Sequence, residues 1–181
     1  MQRLGAGSTA GPSAMEVDRA PLVERNFLIF WLGDDEFGIP VESVDEVARM
    51  PEQITRVPRT PRFLEGVVNL RGEILPVIDQ RRRFDMPQLE QGENRRLIVV
   101  KTQRHRAGLI VDSVSQVLRA NESAIEATPN LTGEITRLVQ GVVNIPKEER
   151  IILLLDAGEL LTRAEQGLLD AFVPKAERAR L

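Results

Sequence analysis

The side chains that could do chemistry in this chain are few and scattered. His105 is the only histidine, and it lies in Gln103-Arg104-His105-Arg106 with no Ser, Cys or second His close by. A base without a nucleophile makes no catalytic pair, so the segment reads as an exposed hairpin tip. Asp34-Asp35-Glu36 offers three successive carboxylates but lacks the spaced oxygen ligands and turn glycine of a calcium loop; it reads as a solvated turn. Neither a GxSxG nucleophile elbow nor a GxxxxGK[ST] phosphate loop occurs. The absence of Cys removes disulfides, thiolate chemistry and most structural zinc sites. No metal or cofactor is expected, and nothing here looks like an enzyme.

Arg81-Arg82-Arg83 could meet phosphate, and small barrels do bind nucleic acid, so a small-barrel nucleic-acid binder is the rival reading. Stacking platforms are scarce, however, with no Tyr, one Trp and six Phe. Phe27, Phe30 and Phe37 fall in apolar patterns that suit a core, and a net charge of −3 gives no overall basic field. The run reads as a solvated basic edge or a protein contact.

Arg71 is placed differently. It lies in Gly66-Val67-Val68-Asn69-Leu70-Arg71-Gly72-Glu73-Ile74-Leu75-Pro76-Val77-Ile78-Asp79, where two apolar runs flank Asn69-Leu70-Arg71-Gly72. Asn at the first and Gly at the fourth position suit a type I turn, which predicts a β-hairpin. A lone Arg there either projects freely or is pinned by a carboxylate. A second version follows at Gly141-Val142-Val143-Asn144, with a loop to Arg150 and then Ile151-Ile152-Leu153-Leu154-Leu155-Asp156.

The repetition extends upstream. Phe37-Gly38-Ile39-Pro40-Val41, Val44 and Val47 match Ala107-Gly108-Leu109-Ile110-Val111, Val114 and Val117 at a constant offset of 70. The offset becomes 75 between Gly66 and Gly141 and 77 between Asp79 and Asp156, as expected if insertions fall in loops between equivalent strands. Two related β-units stand in tandem.

The surrounding elements follow from composition and pattern. Residues 1–25 are rich in Gly, Ala, Ser and Pro and read as a flexible tail. Phe27 to Leu32 is a strand, Gly33 to Glu36 a turn, and Phe37 to Val41 its partner strand. Val41, Val44 and Val47 are three apart, so a helical turn after Pro40 competes with a bulged strand, which is favoured. Pro76 inside the hairpin places its strand at an edge or a bulge. Two capping signals, Asp156 to Glu159 and Thr162 to Glu165, come in succession; the second is expected to open a C-terminal helix over 163–172, with 173–181 as a tail. At 181 residues, 42% hydrophobic and 28% charged, the chain suits a globular domain that buries roughly 70% of its unfolded surface. No apolar run approaches a membrane span and no signal-peptide core is present, so the expected location is cytoplasmic.

Gly38-Ile39-Pro40-Val41 with Val44 and Glu46, Pro58 and Pro61, the Gly66 to Gly72 hairpin with Pro76-Val77-Ile78-Asp79, and Gly108-Leu109-Ile110-Val111-Asp112 together resemble the CheW-like domain of bacterial chemosensory coupling proteins. The resemblance covers about residues 26–172. It implies an all-β fold of two five-stranded barrels around a shared apolar interface, roughly 26–85 and 95–161. Their boundary need not follow the sequence halves, since a terminal strand can complete the other barrel. It further implies a non-enzymatic adaptor binding the regulatory domain of a chemotaxis histidine kinase and the cytoplasmic tip of a chemoreceptor, attached to membrane-bound arrays without inserting itself. On that resemblance Val44, Gly66, Gly108 and Val114 would lie at the receptor groove. Val41, Glu46 and Val47 would face the kinase, and Asn69, Arg71 and Gly72 would form the coupling hairpin, with Glu46 and Arg71 as an ion pair.

Overall fold

The computed structural model describes Gly5, Gly7 and residues 21–90, 92–133 and 135–162. The expected tails, and the expected helix over 163–172, lie almost wholly outside these. In chain order the strands are β1 (Glu24–Leu32), β2 (Asp35–Pro40), β3 (Val44–Arg49), β4 (Leu64–Leu70), β5 (Glu73–Asp79), β6 (Arg96–Lys101), β7 (Arg106–Val111), β8 (Ser113–Asn121), β9 (Ile125–Glu126), β10 (Val139–Ile145) and β11 (Arg150–Leu155). Two short helices, α1 (Gln80–Arg83) and α2 (Ile135–Leu138), interrupt them.

One sheet has the order β3-β6-β7-β5-β4 and the other β8-β1-β2-β11-β10-β9. The chain is all-β, with one sheet of five strands and a sixth, two-residue strand on the other. Hairpins are exchanged between the sequence halves: β1 and β2 join the sheet built from the C-terminal half, and β6 and β7 join that of the N-terminal half.

The exchange obeys the repeat. β2 runs parallel to β11 with Gly38 opposite Leu154, and β7 runs parallel to β5 with Gly108 opposite Val77. The register slips between Leu64 and Gly66 in one hairpin and between Val139 and Gly141 in its counterpart. Even the short β9 has an equivalent, since Thr55 bridges Val67 as Glu126 pairs with Val142. Gly66 is required at its bend. It holds φ +155, and a Cβ there would lie 2.2 Å from the Thr55 carbonyl oxygen.

Strand alternation sorts the apolar side chains into three clusters. Phe27 and Ile29 join Val143, Ile152 and Leu154 inside the six-stranded sheet. Leu97 and Val99 join Val68, Leu75 and Val77 inside the five-stranded one. The opposite faces, including Phe30, Ile39, Ile78, Ile98, Val100 and Leu109, meet in the shared cluster between the sheets. Phe37 stacks on Phe30 and Phe84 within it, at centroid distances of 5.8 and 5.3 Å.

Three local expectations are corrected. Pro76 lies on β5, an interior strand between β7 and β4, and the register slip of its hairpin falls on the partner strand. The proline is tolerated because the ladder with β7 begins one residue later, at Val77, so no N–H is needed at 76. Between Pro40 and β3 the chain makes both competing structures, a 3-10 turn at Val41–Ser43 and then a strand bulged between Val44 and Glu46. At the C-terminal end the first capping signal is used: Asp156 Oδ1 accepts the Glu159 N–H at 3.0 Å and residues 157–162 are helical. Thr162, expected to cap a later helix, donates its hydroxyl to the Gly158 carbonyl four residues back.

Candidate functional site

The β4 to β5 turn has only two residues in its loop, because Leu70 pairs with Glu73. Arg71 and Gly72 both take positive φ, +53° and +84°, which is the type I′ geometry matching the twist of paired strands. The type I expectation is corrected: the bend is centred one residue later than Asn69 to Gly72 suggested. Asn69 still closes it, its Oδ1 accepting the Gly72 N–H at 2.9 Å.

From this turn the Arg71 guanidinium reaches Glu46 Oε2 at 2.9 Å. Glu46 is on β3, at one margin of the five-stranded sheet, and Arg71 joins the two strands at the other. The pair therefore links the turn at one margin of the sheet to the strand at the other. The Arg71 side chain remains 80% exposed while that of Glu46 is 20% exposed. Beside it runs a chain of charges: Lys101 Nζ lies 2.9 Å from Asp45 Oδ1, and Arg106 bridges Asp45 and Glu73. Hydrogen bonds from Lys101 and then Arg106 hold the Asp45 carboxyl below its usual range. Sequence reasoning missed this network, whose members are 33 to 61 residues apart; the one available signal was the turn cation Arg106 at the head of β7.

The candidate residues divide by accessibility. Val41 and Val47 are exposed, at 36% and 44%. Val44 and Val114 are partly buried at equivalent positions of the two halves, both against the shared cluster. Gly66 and Gly108 are buried, and a Cβ on Gly108 would lie 2.7 Å from a Leu97 methyl.

The basic run is not a solvated edge. Arg81 is buried and grips Asp112, with Nε at 2.8 and 3.0 Å from the carboxylate oxygens and Nη2 at 2.5 Å. Its Nη1 donates to the Pro87 carbonyl and the Gly33 N–H donates to Asp112. Burial pushes the Asp112 carboxyl up, but the hydrogen bonds from Arg81 and Gly33 outweigh it and hold it below the ordinary value. Arg82 pairs with Glu65 at 2.5 Å and lies 3.7 Å from Asp79. Arg83 is buried, donates to the Leu160 carbonyl and stacks over Phe63. The three arginines thus pin the strand crossover, the first turn and the C-terminal helical turn together. No aromatic side chain among the described residues is fully exposed as a stacking platform.

Glu36 likewise leaves the solvated turn assigned to it. It is buried and receives Arg150 Nε and Nη2 at 2.8 and 2.7 Å. Glu148 is the second partner of that guanidinium, which is held more basic than usual by both carboxylates. Among the described residues no cluster of three or more His, Cys, Asp or Glu could hold a metal. A cleft of about 380 Å³ near Glu65, Asp79, Arg82 and Arg95 contains no Ser, Thr, Cys or His, and Arg82 is already paired there.

Two related sheets with exchanged hairpins, the five-stranded one tied from its β4 to β5 turn to β3 by an ion pair, define an all-β domain of duplicated β-units. Residues 26–165 match the CheW-like domain family, and the chain belongs to that family. It is 37% identical over 149 residues to "Chemotaxis protein CheW" of Klebsiella aerogenes, covering 82% of this chain and 88% of that protein. It is 35% identical to "Protein FrzA" of Myxococcus xanthus, over 79% of this chain and 89% of the relative. The crystal structure of the scaffolding protein TtCheW from Thermoanaerobacter tengcongensis superposes with a TM-score of 0.67 at 33% identity, covering 77% of this chain and 88% of the other. No helix among the described residues is long and apolar enough to cross a membrane.

Proposed function

We propose that this chain is a non-enzymatic, cytoplasmic adaptor that couples the tips of chemoreceptors to a chemotaxis-type histidine kinase. Membership of the CheW-like family supports it, as do relatives named as chemotaxis and scaffolding proteins. One observation carries the assignment of the surface. Arg71 holds a left-handed backbone that costs a non-glycine residue on the order of 1–3 kcal/mol, while its exposed pair with Glu46 returns only about 0–1 kcal/mol. Stability does not account for an arginine there. Presentation of a partner surface does.

In this reading Val41, Glu46 and Val47 contact the kinase regulatory domain, with Asn69, Arg71 and Gly72 fixing their frame. Val44 and Val114 line the groove for the receptor helices, and the missing side chains of Gly66 and Gly108 allow the flanking strands to pack closely beneath it. Neither cofactor nor nucleic acid takes part, and attachment to the membrane runs through the receptor. The test is to titrate the chain with a labelled kinase regulatory domain, a receptor-tip hairpin and a single-stranded oligonucleotide, at low and near-physiological salt. Saturable binding of the two proteins at both salts, without oligonucleotide binding, is the expected result. Oligonucleotide binding that vanishes with salt, without binding of either protein, would overturn the proposal.

A further inference from the structure

The two parallel contacts that join the exchanged hairpins carry ion pairs at equivalent positions with opposite polarity. In the β2 to β11 contact, Glu36 of β2 meets Arg150 of β11. In the β7 to β5 contact, Arg106 of β7 meets Glu73 of β5. The geometry is shared: Glu36 faces Ile152, two residues beyond Arg150. Continued two residues past the end of its ladder, the register that sets Gly108 opposite Val77 brings Arg106 level with Leu75, two residues beyond Glu73. By the repeat, Glu36 corresponds to Arg106 and Arg150 to Glu73, so the halves use the same pair of sites with the charges interchanged.

That interchange matters because the chain has two ways to assemble. The β1–β2 hairpin could lie on β5 of its own half, and β6–β7 on β11 of its own half. Both local closures are far shorter in sequence than the observed β2 to β11 contact, in which Gly38 lies opposite Leu154, so they compete with it at a lower cost in loop entropy. Backbone and apolar pattern allow both, since the halves are alike. The charges do not. Within each half, Glu36 would face Glu73 and Arg106 would face Arg150, two like-charge contacts in place of two attractive ones.

We infer that the reversed polarity of the Glu36–Arg150 and Arg106–Glu73 pairs selects the exchanged arrangement of hairpins over the sequence-local one during folding. The selectivity lies in the relation between the pairs and not in the strength of either. Swapping the residues of one pair, as in Glu36→Arg with Arg150→Glu, keeps both native contacts attractive and makes both local contacts attractive too. The same holds for Glu73→Arg with Arg106→Glu, which alters the more exposed pair. Swapping all four restores the distinction with every sign reversed, provided Asp45→Asn is made in every chain compared, the otherwise wild-type reference included, because Arg106 also pairs with Asp45.

The experiment refolds full-length chain from denaturant and traps pairings by cysteine oxidation, for which the absence of native Cys gives a clean background. Asp35 and Ile151 each precede the facing residues Glu36 and Ile152, so Asp35→Cys with Ile151→Cys reports the exchanged arrangement. Asp35→Cys with Ile74→Cys, at the equivalent site of β5, reports the local one. The ratio of local to exchanged product is expected to rise about tenfold in each single-pair swap, the effect of turning two repulsive surface contacts attractive, and to return to the wild-type value in the four-residue swap. Failure of both single-pair swaps to fold while the four-residue swap folds gives the same conclusion. Single-pair swaps with the wild-type ratio, a four-residue swap that mispairs as they do, or loss of folding in all three would overturn it.

Discussion

Replacing Asp112 by Asn tests whether the basic run is internal architecture. The substitution preserves shape but removes the charge at which three guanidinium hydrogen bonds of 2.5 to 3.0 Å converge. Arg81 then stays in place with its side chain only 9% exposed, keeping the Pro87 carbonyl as its remaining strong acceptor. Breaking a fully buried pair costs about 3–5 kcal/mol. Because the Asp112 side chain is 27% exposed, water reaches the site and the cost falls below that scale, to about 2–3 kcal/mol. For a domain of this size that is a fall of about 5–10 °C in Tm. Adding Arg81→Met removes the stranded cation and should recover part of the loss. The pH dependence has a fixed sign. The Asp112 carboxyl is depressed below its ordinary 3.8 in the folded chain, so its contribution is complete above that value and disappears as pH falls through the lower folded value. Urea titrations at several pH values should therefore show a constant gap between wild type and Asp112→Asn from about pH 5 to 8 that closes below about pH 4. A gap under about 0.5 kcal/mol at neutral pH, the cost of an ordinary surface change, would refute the reasoning, as would one that persists undiminished at pH 2.

The remaining substitutions probe the bends and the turn. Gly66→Ala must place a Cβ against the Thr55 carbonyl at positive φ and should cost at least about 3 kcal/mol in denaturant midpoints. Gly108→Ala meets side-chain atoms of Leu97, with no backbone atom among its three nearest neighbours, and should cost about 1–3 kcal/mol, and the reverse order would contradict the packing described. Arg71→Asn gives the type I′ turn a residue that tolerates its backbone, so thermal melts should show stability unchanged or raised by up to about 1 kcal/mol, while kinase coupling falls. A loss of stability without loss of coupling would assign Arg71 to the fold alone.

The repeat was legible because Gly38, Gly108, Gly66 and Gly141 mark close contacts in which a Cβ would lie within 3 Å of a neighbour, and their offsets survive loop insertions. Strand exchange was open in the sequence but undecided, since both arrangements satisfy the same apolar alternation. The arginines of α1 misled for a physical reason. A run of three cations reads as solvated unless its counter-charges are known, and Asp112 and Glu65 lie 31 and 17 residues away in sequence. Glu36 failed similarly, its partner Arg150 being 114 residues distant. The Glu46 and Arg71 pair was reachable only through family resemblance. Nothing in local pattern shows that the Arg71 guanidinium in the β4 to β5 turn comes within 2.9 Å of the Glu46 carboxylate on β3.

The most direct measurement of the adaptor role is autophosphorylation of a chemotaxis-type kinase reconstituted with receptor, in the presence of wild-type chain, Glu46→Arg, Arg71→Glu and the double reversal. Wild type should activate the kinase, each single reversal should lose most of that activation with little change in melting temperature, and the double reversal should recover a substantial part. Activation that is independent of the chain, or single losses that add with no recovery in the double reversal, would contradict the assignment of this hairpin as the coupling surface.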